Sequence, residues 1–277
     1  MAESTARRRL TVELRQLRRQ VGLTQRQVAD TLEWSPSKVI RIEQGTVRVQ
    51  KTDLQALLGL YRVTDPETVA KLTALARESK TLPFTEYRDI LSAEAVRYFQ
   101  YEADPWIIRQ VTPLLVPGLL QVEDYSRALL EAFDTPAANI DKLVESRKER
   151  REVFERADPP QAFFVLDEAV LRRTVGGSKV MNRQLDHLVA MSQRPGVSIQ
   201  VLPFSIGAHS AMADPFVHLG FPAENDPDVI FVENALDDTL FKDDPEITAN
   251  YRDQFWKLED AASLPDRLEK MARNAEM

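Results

Sequence analysis

Apolar residues along the first sixty positions recur at the three- and four-residue spacing of short amphipathic helices. The first stripe consists of Leu10, Leu14, Leu17 and Val21. It ends at Gly22, and three further stripes follow within residues 24–32, 35–44 and 51–61. Only a tight turn separates the second helix from the third. The pattern therefore predicts four or five short helices that include a helix-turn-helix.

Capping residues mark the ends of the second and third helices. Thr24 is followed three residues later by a glutamine, which is the spacing of a capping box. Ser35 precedes Pro36, and proline is tolerated at the first helical position because its missing N–H would have no partner there. Gly45 fits the left-handed position that ends many helices. These signals predict a third helix over Ser35–Gln44.

The segment LTQRQVADTLEWSPSKVIRIEQG, residues 23–45, resembles the XRE (lambda-repressor/Cro-like) family of DNA-binding proteins. The similarity extends over about 60 residues and implies that the third helix is a recognition helix. The positions that carry it are the Thr-Gln opening, Ala29, Val39, Ile42, Glu43 and Gly45. Trp34 departs from the family pattern, because a smaller residue is usual in this turn. It could tilt the recognition helix, pack against the bundle or contact the DNA backbone.

Several polar residues of this segment are candidates for DNA contacts. Ser37 and Arg41 lie four residues apart and share a helix face, where an arginine can bond bidentately to guanine. Lys38, beside them, is a candidate for a base or a phosphate contact. The resemblance further implies a phosphate contact for Gln25. The remaining candidates for DNA contacts are Arg26, Ser35, Arg48 and Lys51.

Charge is distributed unevenly along the chain. Residues 1–62 contain twelve basic and six acidic side chains, a net charge of +6. Since the whole chain carries −7, residues 63–277 carry −13. This asymmetry is expected when one module meets a polyanion and the other does not.

The remainder of the chain mixes helical and strand-like patterns. Thr81-Leu82-Pro83 interrupts the helical pattern, which predicts a helix-turn-helix domain at 1–80 and a second domain at 81–277. The predicted helices cover residues 86–102, 123–133, 140–156, 182–193, 246–260 and 265–275. The predicted strands lie after Trp106 and at residues 162–166, 197–203, 215–221 and 228–234. The fold class expected is α+β: an all-α helix-turn-helix bundle followed by a mixed α+β domain with a small sheet. Interleaved acids and bases in 140–156 favour a solvent-facing helix.

Sequence blocks of the second domain resemble the domain of unknown function found behind XRE modules in actinobacterial WhiJ-like, antitoxin-like regulators. The matching blocks are EAVRYFQYE, VPGLLQVEDYSRAL, SRKERR, VLDEAVLRR, VSIQVLPFSIGAHSAM, FVENAL and YRDQFWKLEDAAS. The resemblance implies a transcriptional regulator, and many relatives act with a small acidic partner protein. It implies no ligand and no site residues.

Signals of enzyme chemistry are weak. The chain has no cysteine, and its three histidines, His187, His209 and His218, do not stand in a metal-binding motif. No serine stands in a GxSxG context, and no phosphate-binding glycine loop is present. We therefore expect no catalytic activity, no cofactor and no metal. The irregular loop 203–215 is the best candidate for a ligand or partner surface.

The sequence also lacks a long uncharged apolar run and an apolar signal segment, which predicts a cytoplasmic protein that does not enter a membrane. Our main hypothesis is a sequence-specific DNA-binding transcriptional regulator. One such module buries only roughly 600–1,000 Å² on DNA, so we expect a homodimer on a pseudo-palindrome. The alternative hypothesis is an antitoxin-like module that neutralises a small partner protein. Whether a small-molecule effector acts on the second domain stays open.

Overall fold

The structure is a computed structural model of the chain. The residues that it describes are 3–43, 45, 47–78, 83–221, 228–232, 240–242, 244–263 and 268–275. The chain divides into two compact units, Met1–Thr85 and Glu86–Met277, slightly after the boundary expected at residue 80. A helical N-terminal region followed by a mixed helix-and-strand unit confirms the predicted fold class.

The N-terminal unit is a bundle of helices around one apolar core. Its helices are α1 (Glu3–Gln20), α2 (Gln25–Thr31), α3 (Pro36–Glu43), α4 (Lys51–Leu60) and α5 (Pro66–Glu78). The predicted stripes supply this core: Leu10, Leu14, Val28, Ile42 and Leu54 are all at most 2% exposed. Val21 is the exception. It lies beyond the end of α1 and is 36% exposed, because the chain has already left the helical face that points inward.

The C-terminal unit carries seven helices among the described residues. They are α6 (Ala93–Glu102), α7 (Glu123–Ala132), α8 (Ala137–Arg151), α9 (Glu168–Arg172), α10 (Ser178–Ser192), α11 (Pro245–Ala261) and α12 (Leu268–Ala275). The helix expected from residue 86 begins only at Ala93, because Ser92 caps it by accepting a hydrogen bond from the N–H of Ala95 at 3.1 Å. The five-residue helix α9 was not predicted, since one turn is too short to show a period.

Six strands among the described residues of this unit form one mixed sheet. They are β1 (Ile107–Thr112), β2 (Gln161–Asp167), β3 (Val197–Leu202), β4 (Phe216–Gly220), β5 (Val229–Val232) and β6 (Leu240–Lys242). The strand order is β3-β2-β1-β4-β5-β6. The first three strands are parallel, because helices connect them, whereas β4, β5 and β6 pair antiparallel. The three-residue β6 was not predicted.

Helix α11 packs on one face of this sheet. Phe255 and Leu258 of α11 are at most 5% exposed and contact an apolar cluster on the sheet that includes Val111, Phe216 and Ile230. The alternation of side chains along each strand places these sheet residues on a common face.

The densely charged helix α8 is not simply solvent-facing, so that expectation was partly wrong. Its Arg150 has a side chain only 8% exposed and forms a two-pronged ion pair with Glu102, which is 1% exposed. The two bonds measure 2.5 Å (Nε to Oε2) and 3.0 Å (Nη2 to Oε1). Burial disfavours the charged guanidinium, but the carboxylate more than offsets this and raises the pKa of Arg150.

Candidate nucleic-acid interface

Helices α2 and α3 form a helix-turn-helix whose ends are set by local hydrogen bonds. The Thr24 hydroxyl accepts from the backbone N–H of Gln27, and the Gln27 side chain accepts from the backbone N–H of Thr24, so the predicted capping box is confirmed. Glu33 takes a left-handed φ of 53° in the turn. Ser35 caps α3 by accepting from the N–H of Lys38 at 3.2 Å.

Helix α3 has one buried and one exposed face. Val39 and Ile42 point into the core, each 1% exposed. Ser37, Ile40 and Arg41 are exposed, and their spacing places them together on the outer face. The predicted recognition helix Ser35–Gln44 therefore corresponds to α3 with its cap, except that Gln44 lies outside the described residues.

Glu43, at the end of α3, is the centre of a buried polar network. Its carboxylate is 3% exposed and accepts two hydrogen bonds from Arg18, at 2.6 and 2.9 Å. The amide of Gln25 donates to the same carboxylate at 2.7 Å, and Arg15 donates to the Glu43 carbonyl at 2.8 Å. The hydrogen bond to Glu43 raises the pKa of Arg18. The network thus joins α1, α2 and α3.

Gln25 consequently has a structural role that the sequence did not indicate. Its amide holds Glu43, although two hydrogens on that nitrogen allow a second bond. Its predicted phosphate contact is not tested by this arrangement and stays a prediction.

The ammonium group of Lys38 is already engaged by contacts within the N-terminal unit. Its ammonium group lies 2.7 Å from a carboxylate oxygen of Asp53, in the first turn of α4. It also lies 3.8 Å from the centre of the Trp34 ring. Trp34 is partly buried and packs against the apolar core of the unit. Of the three roles open to Trp34, packing is the one that this geometry displays, and the same ring orients the cation of the recognition helix.

Arg41 lies along the exposed face of α3. Its Nε donates to the backbone carbonyl oxygen of Ser37 at 3.2 Å, so the two residues are neighbours on this face. Their predicted base contacts stay predictions. Both residues come from the half of α3 that lies opposite the core. The exposed face of α3 therefore combines the cation of Arg41, the hydroxyl of Ser37 and the apolar side chain of Ile40.

Three other predicted contacts, Arg26, Arg48 and Lys51, are exposed. Within the described part of the chain, none of the three forms an ion pair. Lys51 is the first residue of α4, and Gln50 caps that helix without a side-chain hydrogen bond. The N–H groups in the first turn of α4 therefore have no acceptor in the Gln50 side chain.

Two histidines of the C-terminal unit, His209 and His218, are largely buried and pair with aspartates, which the sequence did not reveal. His218, fully buried on β4, lies 2.8 Å from Asp228 through Nε2 and 3.2 Å from Arg109 through Nδ1. Because arginine can only donate, Nδ1 is the acceptor in the contact with Arg109, and Nε2 faces the carboxylate of Asp228. Burial raises the pKa of Asp228, but the bond to His218 outweighs it and the net pKa is lowered.

The end of β2 and the start of α9 anchor the loop 203–215 through two side-chain contacts. His209 lies 2.9 Å from Asp167, and the N–H of Phe204 donates to Glu168 at 2.8 Å. Two large apolar side chains nevertheless point outward, with Phe204 57% and Met212 60% exposed. The loop is therefore held in place and exposes two large apolar side chains.

Neither a cluster of side chains fit for a metal ion nor a helix fit to span a membrane occurs among the described residues. No group of three or more His, Asp or Glu side chains in this part of the chain is placed to hold a metal ion. No helix there is both long and apolar enough to cross a membrane.

Family models match both parts of the chain. A helix-turn-helix domain model matches residues 9–72, so the N-terminal unit is a DNA-binding helix-turn-helix domain. A model described as a domain of unknown function, DUF5753, matches residues 96–271. Together they confirm the predicted architecture of a helix-turn-helix followed by a domain of unknown function. No curated protein and no solved structure matches the chain. Since the second model spans more than half of its length, the chain belongs to the DUF5753 family, behind an N-terminal helix-turn-helix domain.

Proposed function

We propose that the protein is a sequence-specific regulator of transcription that inserts α3 into the major groove of its operator. The observation that carries the proposal is the exposed face of α3, where Ser37 and Arg41 stand together on a helix that the Glu43 network holds in place. Arg41 contacts guanine, and Ser37 contacts a neighbouring base edge.

Phosphate contacts fix the position of α3 on the duplex in this proposal. Arg26, Arg48 and Lys51 lie at the start of α2 and on either side of the α4 N-terminus, and they are exposed. Phosphate contacts supply affinity and orientation without sequence information. Lys38 contributes to DNA binding chiefly because it orients α3, since Asp53 and Trp34 already hold its ammonium group.

The proposed active form is a homodimer in the cytoplasm, with the C-terminal unit as the dimerisation and signal-binding part. A single helix-turn-helix covers too little DNA for operator selectivity, whereas two modules one helical turn apart read a pseudo-palindrome. Sedimentation of the full-length chain alone and on DNA tests this part. A chain that stays monomeric in both conditions contradicts it.

A second function, antitoxin-like binding of a small partner protein, is favoured by the anchored loop 203–215. Its Phe204 and Met212 are large apolar side chains exposed to solvent, and exposed apolar groups are typical of protein contacts where they cluster. The two functions are compatible, since one unit binds DNA and the other the partner. We propose a binding function without catalysis. His218 is fully buried and engaged by Arg109 and Asp228, which favours a structural role for its imidazole.

The full-length chain tests the main proposal directly. Random duplexes are passed over the immobilised protein at moderate salt, and the retained fragments are sequenced. We expect one enriched pseudo-palindromic motif. Retention of all sequences alike, or of none, would overturn the proposal of a sequence-specific regulator.

A further inference from the structure

The recognition helix exposes one large apolar side chain. Ile40 is 36% exposed, whereas the other two branched residues of α3, Val39 and Ile42, are each 1% exposed. Ile40 follows Ser37 by three positions and precedes Arg41 by one, so it lies on the outer face with both of them.

The fold of its own unit leaves 36% of the surface of Ile40 exposed to solvent. Branched side chains lose rotamer freedom in a helix and are weaker helix formers than the long polar residues usual at exposed positions. It does not belong to the core cluster of the N-terminal unit or to the partly buried residues packed against it. Its position therefore favours a contact made outside the unit.

Duplex DNA offers one prominent apolar group in the major groove, the C5-methyl group of thymine. We infer that Ile40 reads this methyl group, at a thymine next to the base pair that Arg41 contacts. The inference rests on the proposed function and deepens it: α3 recognises a guanine by hydrogen bonds and a neighbouring thymine by apolar contact. The outer face of α3 thus carries Arg41 for the guanine and Ile40 for the methyl group of the thymine.

The experiment removes one methyl group at a time. Each thymine of the selected operator is replaced singly by uracil, which keeps base pairing and loses only the methyl group. Wild-type protein and Ile40→Ala are titrated against every duplex at one salt concentration. For wild type we expect one position per half-site at which uracil weakens binding by about fourfold, the factor that corresponds to the burial of one methyl group. For Ile40→Ala we expect thymine and uracil at that position to bind equally.

A matched control is available in the same unit. Val21 has the same exposed fraction, 36%, but lies beyond α1 and outside α3. Val21→Ala should keep the full response to uracil. Because Ile40 is exposed, its replacement by alanine should leave the unit folded, which circular dichroism checks.

Three outcomes overturn the inference. In the first, no thymine responds to loss of its methyl group. In the second, Ile40→Ala keeps the wild-type response. In the third, Ile40→Ala loses self-association without DNA, which would assign Ile40 to a contact between copies. In the first two cases an enriched operator leaves the proposed function intact, whereas absence of any enriched operator removes the function itself.

Discussion

Basic residues of the N-terminal unit fall into two groups that their sequence positions do not distinguish. Lys38 is held by Asp53 and Trp34, and Arg18 is held by Glu43. Arg26 and Arg48 are exposed and form no ion pair within the described part of the chain. A cation that the folded protein already neutralises has less to gain from a phosphate. Affinity for DNA should therefore depend mainly on the second group.

Arg41→Ala should relax sequence preference at one base pair per half-site. Loss of a bidentate contact removes about 1–3 kcal/mol of discrimination at that position. The measurement is a set of titrations on operators with each base pair exchanged in turn. An unchanged preference profile with uniformly weaker binding would assign Arg41 to phosphate instead.

Arg48→Ala should weaken binding to operator and scrambled duplex by the same factor. It should also reduce the slope of log K against log salt by about one, since one phosphate contact disappears. Titrations over several salt concentrations give both quantities. Arg173→Ala, an exposed arginine of the C-terminal unit, is the matched control for net charge and should leave the slope unchanged. Equal slopes for Arg48→Ala and Arg173→Ala would argue against the contact.

At the level of elements, α3 depends on its neighbours. A helix of eight residues is not stable alone, because too few hydrogen bonds follow its costly first turn. The Glu43 network ties its end to α1 and α2, while Lys38 ties its start to α4. The recognition face is thus presented by contacts at both ends of the helix.

Glu43→Gln should destabilise the N-terminal unit by about 3–5 kcal/mol, because it leaves the largely buried Arg18 without its carboxylate. Hydrogen exchange in peptides from α1 to α3 should speed up accordingly, whereas peptides of the C-terminal unit serve as internal reference. Glu33→Gln is the same substitution at an exposed turn position and should change little. Similar exchange in both variants would mean that the network contributes no net stability.

For the molecule as a whole, acid sensitivity should come partly from His187 in the C-terminal unit. Burial, with the nearby charges of Arg151 and Arg194, lowers the pKa of His187 from its usual 6.5. The folded protein therefore binds fewer protons than the unfolded chain below pH 6.5. The contribution of His187 to the free energy of unfolding is fully present above pH 6.5. It is lost as the pH falls through the lower pKa that His187 has in the folded state.

His187→Gln removes this titration. Between pH 7.5 and 5.5, the free energy of unfolding of the C-terminal unit should fall less in the variant than in wild type. Urea unfolding followed by hydrogen exchange in α10 peptides measures the difference, and all other groups titrate alike in the two proteins. Parallel pH profiles would rule out a contribution from His187.

Much of the fold could be predicted from the sequence, because interactions between residues close in sequence determine it. The ends of α2 and α3 depend on Thr24, Ser35 and Gly45, each of which acts within a few positions of itself, and all three signals were confirmed. Apolar periodicity located the core of the helix bundle and the five longer strands for the same reason. The helix-turn-helix, and with it the DNA-binding unit, followed from such short-range patterns.

Long-range packing decided the remainder. Which strands pair, and that β4 lies antiparallel beside β1, depends on energies that no local window contains. Lys38 and Arg150 look like surface cations in the sequence, yet Asp53 and Glu102, 15 and 48 positions away, neutralise them. Contacts with residues distant in sequence determine whether a charged side chain forms an ion pair within the protein or stays exposed to a partner such as DNA. The sequence therefore indicated which residue types to expect at the DNA interface, and those contacts stay predictions. Only the tertiary structure decided which of these side chains are already engaged within the protein.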